Sequence, residues 1–275
     1  GSGFEFLPLF NKKSKFVFHF ISVSVTGHFF YDLFVNLLKK NQSFFADMAL
    51  YTDQELKNNI RPFFKIKSNI LPVGYASDLF YPCETYKDSN KRLLIYHGSC
   101  HPNRKIERMI KVVPLLDERY HLIIIGKASK KYMKELNQLI KLLKCSDRIT
   151  FKEMPQDKIR NIIKNAYLCF SYVPVMECYQ DQFVLKTIEY LACGRPVIST
   201  STRYTKKFQN EIGKRNLLVC EDEIIKMASA INSSDNFVTA FYKKKELNFL
   251  YDKIKTYSNE FFIKKKLTSF YSELF

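Results

Sequence analysis

Glycine is scarce in this chain of 275 residues, with 8 Gly against 25 Phe and 17 Tyr, and that balance excludes collagen-like, linker-like and disordered classes. None of the seven cysteines belongs to a CxxC pair. Several sit inside apolar runs as buried thiols do, so a reducing, cytoplasmic setting is expected. Nor is there a run apolar enough for a membrane span: the best early stretch, Phe16 to Phe30, is interrupted by His19, Ser22, Ser24, Thr26, Gly27 and His28. Internal repeats, low-complexity tracts, zinc-finger spacing, a helix-turn-helix pattern and an aromatic RNA-reading signature are also missing. Acidic residues are the last shortage, 27 against 44 basic ones, for a formal charge of +17. Such a field attracts anions. Without base-reading companions for the lysines, nucleic acid is not the expected partner, whereas phosphorylated small molecules and the surface of an anionic membrane, bound peripherally, are. Much of the excess lies in Lys12-Lys13, Lys130-Lys131, Lys206-Lys207, Lys243 to Lys245 and Lys264 to Lys266, each of which also reads as a solvated face.

Hydrophobic residues make up 46% of the chain, ample for a packed core. Strand-like and helix-like segments alternate, which predicts an α/β fold whose largely parallel, Rossmann-like sheet carries helices on both faces. Phe16 to Val25 reads as a strand, Phe29 to Lys40 as a helix and Met48 to Thr52 as a strand. Asp53 reads as the N-cap of a short helix that buries Leu56 and Ile60 and ends at Pro62. A second series runs through a strand at Leu93 to His97, a helix at Arg104 to Leu116, a strand at Leu122 to Ile125 closed by Gly126, and a helix at Lys130 to Leu143. It continues with a strand at Ile149 to Phe151, a helix at Gln156 to Asn165 and a strand at Leu168 to Ser171. A helix at Phe183 to Ala192, capped by Gly194, leads to a strand at Arg195 to Ser199. The remainder reads as mostly helical. The expected organisation is an incomplete N-terminal α/β portion over residues 4–75, a Rossmann-like domain over 76–240, and C-terminal helices over 241–275 packing back toward the N-terminal region.

Ligands of open α/β sheets bind beyond the carboxyl ends of the strands. Two strand-to-helix turns are candidates. In His97-Gly98-Ser99-Cys100-His101-Pro102-Asn103-Arg104-Lys105, Gly98 permits close backbone approach and Arg104 or Lys105 can neutralise a phosphate; a solvent loop with chance basic residues fits the turn equally well. In Asp181 to Thr200, Asp181 stands eight positions before Glu189, about two helical turns, so both are expected near one face. Glu189 is set among Ile188, Tyr190 and Leu191, where an unpaired carboxylate is costly. Its partner is either a ribose or a lysine such as Lys186.

The second segment resembles the donor-site signature of retaining family 4 glycosyltransferases, enzymes of the GT-B fold. Phe183 and Lys186-Thr-Ile-Glu189-Tyr-Leu-Ala-Cys-Gly194-Arg-Pro196-Val-Ile match that signature, and Asp181 stands where the family usually has Glu. Ile70 to Pro82 is similar to the family's interdomain segment, and His97-Gly98 to Glu107 to its phosphate loop, so the resemblance covers about residues 46 to 225. It implies a donor half that binds a nucleoside diphosphate sugar, with Glu189 on the ribose hydroxyls and Arg104 and Lys186 stabilising the leaving pyrophosphate. Asp181 is implied beside the transferred sugar, with Tyr179, Gln180 and Gln182 reading its hydroxyls. Gly98, Ser99, Lys105 and Phe183 are implied around the nucleotide. Lys152, Glu153 and Met154 follow the strand where the family's base-contacting loop lies.

Three positions depart from the family: Ser99 replaces an Arg, Val184 replaces a Gly, and Asp181 is one methylene shorter than Glu. The residues before the interdomain segment are too few for a full acceptor domain, and neither His19 nor His28 carries a matching motif for a catalytic histidine. Asp47, Asp53 and Asp78 are isolated, so no metal-binding Asp-x-Asp pair exists, and neither metal nor other cofactor is expected. Two functions follow. One is transfer of the sugar, with retention, to a saccharide, lipid-linked or other hydroxyl acceptor. The other is a non-catalytic binding or scaffold module, or a fragment that needs a second chain or region to supply the acceptor half.

Overall fold

In a computed structural model, residues 16–20, 29–42, 46–52, 54–60, 66–84, 86, 90–242, 244–262 and 272 are described. They fall into two compact units, 1–74 with 257–275 and 75–256. The expected N-cap Asp53, the helix end at Pro62, His28, and the lysines at 12, 13, 243 and 264–266 lie outside the described residues.

The first unit holds β1 (Val17–Phe20), α1 (Phe29–Gln42), β2 (Met48–Tyr51), α2 (Gln54–Ile60), β3 (Lys67–Ile70) and α11 (Asn259–Phe262). The three strands pair in parallel in the order β1-β2-β3. Alternation along β2 sends Ala49 and Tyr51 to one face, with Phe20, Leu56 and Ile60, and Met48 and Leu50 to the other, with Leu71 and Phe262. Both faces are therefore covered, as parallel sheets require. β3 was not expected; its sequence Lys67-Ser-Asn-Ile70 has neither alternation nor β-branched richness, and pairing with β2 makes it a strand.

The second unit holds β4 (Arg92–His97), α3 (Ile106–Val112), β5 (Tyr120–Ile125), α4 (Lys130–Leu142), β6 (Ile149–Lys152) and α5 (Gln156–Ile163). It continues with β7 (Leu168–Ser171), α6 (Leu185–Ala192), β8 (Val197–Thr200), α7 (Arg203–Ile212), β9 (Leu217–Cys220), α8 (Ile224–Asn232), α9 (Asp235–Phe241) and α10 (Lys244–Lys255). Its six strands are all parallel, in the order β6-β5-β4-β7-β8-β9. This is the doubly wound arrangement anticipated from the alternation of elements. Along β5, Leu122 to Ile125 are buried without interruption, the pattern of a strand covered on both faces. In α4, Tyr132, Leu136 and Ile140 face the core at four-residue spacing, and the Ser129 hydroxyl caps the helix by accepting from Tyr132 N at 3.2 Å. Gly194 takes φ 68°, the left-handed C-terminal conformation expected of it.

Three expectations need correction. The helix expected from Arg104 begins at Ile106, because Pro102–Arg104 forms a separate 3-10 turn and Lys105 takes φ 48°. The helix expected from Phe183 begins at Leu185, so Asp181 precedes it and does not share a helical face with Glu189. Leu217–Cys220, expected in a helical region, is the strand at one end of the sheet; four residues are too few for periodicity to separate strand from helix. Among the described residues, no helix is long and apolar enough to cross a membrane.

Candidate functional site

Strand order reverses direction between β4 and β7, which are neighbours in space but lie three strands apart in the chain. Crossovers on either side of such a switch point leave a crevice at the carboxyl ends of the strands. A cavity of about 570 Å³ occupies that place, lined by His97, Gly98, Arg104, Met154, Lys186 and Glu189 among others. Its size suits a nucleotide-sized ligand. The backbone closes tightly beside it: a Cβ on Gly126 would collide with the carbonyl oxygen of Gly98 and reach Cys100 Sγ at 2.8 Å.

Three basic side chains line the cavity, and two of them, Arg104 and Lys186, belong to the turns singled out from the sequence. Arg104 ends the 3-10 turn and donates to Gln182 Oε1 at 3.0 Å, while its guanidinium lies 4.7 Å from the centre of the Tyr179 ring. Lys186, in the first turn of α6, places Nζ 4.2 Å from the centre of the Tyr96 ring and donates to the Tyr172 carbonyl at 3.2 Å. Withdrawal from water, reinforced by the Arg104 charge and opposed by Glu189, pushes the Lys186 ammonium down to about 7. The turn leading into α6 adds polarity of the same sign. Val184 occupies the N-cap with no side chain to accept from the first-turn amides, and Val184 and Leu185 both line the cavity. Uncapped amides at a helix start favour an anion.

Glu189 is buried at 3% exposure, and His97, at the end of β4, at 7%. Glu189 Oε2 lies 3.2 Å from His97 Nε2. That answers the question left by the sequence: the partner close at hand is a histidine, and Lys186 donates elsewhere. The imidazole is fixed by stacking on Phe80, with ring centres 6.0 Å apart, and by an edge contact with Tyr190 at 4.8 Å. The backbone N–H of His97 donates to Tyr190 Oη at 2.7 Å. His97 was read only as the start of a turn; its fit against Glu189 depends on two elements 92 positions apart in sequence, which no local pattern reveals.

Of the residues singled out from sequence, Gly98, Ser99, Arg104, Met154, Gln182, Phe183, Lys186 and Glu189 line the cavity, whereas Lys105, Tyr179, Gln180 and Asp181 do not. Tyr179 instead lies with its ring against the Arg104 guanidinium. Asp181 is held by Arg203, whose Nε and Nη2 reach Oδ2 at 2.9 and 2.5 Å and whose Nη2 also reaches Glu177 at 2.7 Å. Gln180 Oε1 accepts from Arg203 N at 3.0 Å. His97, Ile125, Gly126, Lys127, Gln156, Ile159, Val173, Val184 and Leu185 complete the lining. Among the described residues, no group of three or more His, Cys, Asp or Glu is placed to hold a metal.

A family model described as glycosyl transferases group 1 matches residues 91–234, more than half of the chain. The chain belongs to the glycosyl transferases group 1 family. Its matched segment contains both turns around the cavity. No curated protein matches the chain. Among solved structures, sucrose-phosphate synthase from Thermosynechococcus elongatus is similar with a TM-score of 0.76 at 17% identity, over 97% of this chain and 70% of that one. Anabaena HepE, in complex with UDP and glucose, gives 0.75 at 16% identity over 95% and 72%. A TarM variant from S. aureus, in complex with Fondaparinux, alpha-GlcNAc-glycerol and UDP, gives 0.64 at 17% identity over 86% and 45%. At such identities the likeness is one of fold, and the parallel sheets flanked by helices are those of GT-B glycosyltransferases.

Proposed function

We propose that this member of the glycosyl transferases group 1 family transfers a sugar from a nucleoside diphosphate sugar to a saccharide, lipid-linked or other hydroxyl acceptor, with retention at the anomeric carbon. The observation that carries the reading is the convergence of Arg104, Lys186 and the uncapped start of α6 on a switch-point cavity whose inner end holds Glu189. Glu189 takes the ribose hydroxyls, the site presents Arg104 and Lys186 to the diphosphate, and Met154 and its neighbours border the base. The bond from the anomeric carbon to the diphosphate oxygen breaks as the acceptor oxygen bonds to the same face of that carbon, and the acceptor proton leaves with the diphosphate. Charge developing on the leaving oxygen is met by cations already in place, the usual source of most of the rate gain in such sites. The complexes of Anabaena HepE with UDP-glucose and with UDP and glucose support a uridine donor as the first to test.

A non-catalytic binding module is the second reading, and the Asp181–Arg203 pair favours it: a carboxylate engaged by a guanidinium outside the cavity is withheld from a sugar. For the membrane as partner, support comes from the charge of +17 and from α1, whose Phe30, Leu33, Phe34, Leu37 and Leu38 are exposed at three- and four-residue spacing.

Titration of the chain with UDP- and GDP-sugars, before and after Glu189→Ala, tests the donor site. Binding abolished by the substitution is the expected result. No binding to either class of nucleotide sugar by the unsubstituted protein refutes the reading, and binding without transfer to any supplied acceptor favours the module.

A further inference from the structure

We propose that His97 is a positioning residue for the nucleoside, acting through Glu189; this deepens the donor-site reading and rests on it. Both side chains are buried, and both line the same cavity. At 3.2 Å from Glu189 Oε2, a bare lone pair on Nε2 would face a carboxylate oxygen, so the favoured tautomer carries its hydrogen there. The approach is off the line of a good hydrogen bond, and among the described residues Nε2 has no other hydrogen-bond partner. A buried polar atom left in that state is unusual in a folded protein. It is explained if the pair is completed by a ligand: a hydroxyl drawing on Glu189 turns the carboxylate so that one oxygen accepts from Nε2–H and the other from the hydroxyl.

The surroundings of the ring serve this purpose. Phe80 stacks on one face, Tyr190 meets it edge-on, and Tyr190 Oη ties down the backbone of the same residue. The imidazole is therefore held independently of the ligand, while Glu189, on α6, is the member free to adjust. A carboxylate restrained at one oxygen loses less freedom when it accepts from a diol, the ordinary benefit of preorganisation.

The test compares UDP and GDP with their 2′,3′-dideoxy counterparts by calorimetry, in the unsubstituted chain, His97→Leu and His97→Gln. Leucine keeps bulk against Phe80 and removes the donor; glutamine returns an amide N–H near the place of Nε2. Expected are about tenfold weaker binding of the ribonucleotide by His97→Leu, unchanged binding of the dideoxy form, and recovery of most of the loss by His97→Gln. Equal weakening of both nucleotides, or of neither, overturns the inference while leaving the donor site standing. Should His97→Leu fail to fold, the His97 ring nitrogen shifts in the unsubstituted protein decide: they change with the ribonucleotide and not with the dideoxy form, and identical changes with both count against the proposal. An unsubstituted chain that binds neither UDP nor GDP refutes the donor reading itself, and the role of His97 falls with it.

Discussion

Raising the pH above neutrality should weaken diphosphate binding through a single residue. Lys186 has its ammonium pushed down to about 7, chiefly by burial and next by the Arg104 charge. In the ligand-free site it is therefore half neutral at that pH, whereas a diphosphate beside it restores the charged form. If the complex returns the amine to its ordinary range near 10.5, binding takes up about 0.9 proton at pH 8 and affinity falls about 50-fold between pH 7 and 9, or about 2.3 kcal/mol. The stability of the free protein runs the other way. Its unfolded state keeps the ordinary value, so the cost of burying the charged lysine is present in full below about 7 and is relieved as pH rises from there toward 10.5. Calorimetric titration with UDP at pH 7, 8 and 9, in buffers of differing ionisation enthalpy, reads both affinity and proton uptake. Lys186→Met should bind more weakly at pH 7 and lose the uptake. A flat affinity from pH 7 to 9, or the same uptake in Lys186→Met, refutes the reasoning.

Gly126→Ala should abolish UDP binding with the fold retained, because the new methyl collides with the Gly98 carbonyl oxygen and must displace a turn that lines the cavity; calorimetry with a circular dichroism control reads both. Asp235→Ala strips Arg92 of its two bonds at 2.6 and 3.0 Å and Tyr167 of its acceptor, and should cost about 2 kcal/mol, seen as a fall in Tm of about 5 °C. Cys83 should alkylate faster at pH 7 than the buried cysteines, since a hydrogen bond from Cys193, with Arg160, Arg195 and Lys164 nearby, holds its thiol below the ordinary range; peptide mapping after brief iodoacetamide treatment measures it. Phe34→Glu with Leu37→Glu should release the chain from anionic vesicles in sedimentation, and an unaltered bound fraction would leave the α1 stripe without that role.

The doubly wound sheet was legible because its central strands announce themselves. Leu122 to Ile125 is a run of four buried apolar residues closed by Gly126, and such a run between amphipathic helices has few other readings. Arg104 and Lys186 were legible for a different reason, as they stand in a turn and a helix start at the carboxyl ends of those strands, where the fold itself puts ligands, and Glu189 follows Lys186 by three positions along α6. Asp181 was placed by counting helical turns, and the count began too early: with Val184 as the N-cap, residues 181 to 183 follow a loop path that carries the carboxylate to Arg203. The strand at 67–70 and the strand at 217–220 fell below the length at which period can be read. Each exists because a neighbour supplies its hydrogen bonds.

Several local choices that sequence rules disfavour stand at or beside this cavity. A lysine at φ 48° follows Arg104, a conformation that costs about 1–3 kcal/mol for a residue with a side chain. A valine caps α6 where Ser, Thr, Asp or Asn would stabilise it by about 1 kcal/mol. A lysine loses water over Tyr96, and a buried histidine nitrogen lacks a hydrogen-bond partner among the described residues. By contrast α7, which begins away from the cavity lining, has the full Thr202–Thr205 capping box. The uncapped amides and the half-neutralised ammonium share one property: each is relieved by negative charge brought close to it. Local preferences broken beside a crevice are expected where a site serves something other than stability, and the sign of the relief supports the diphosphate donor proposed above.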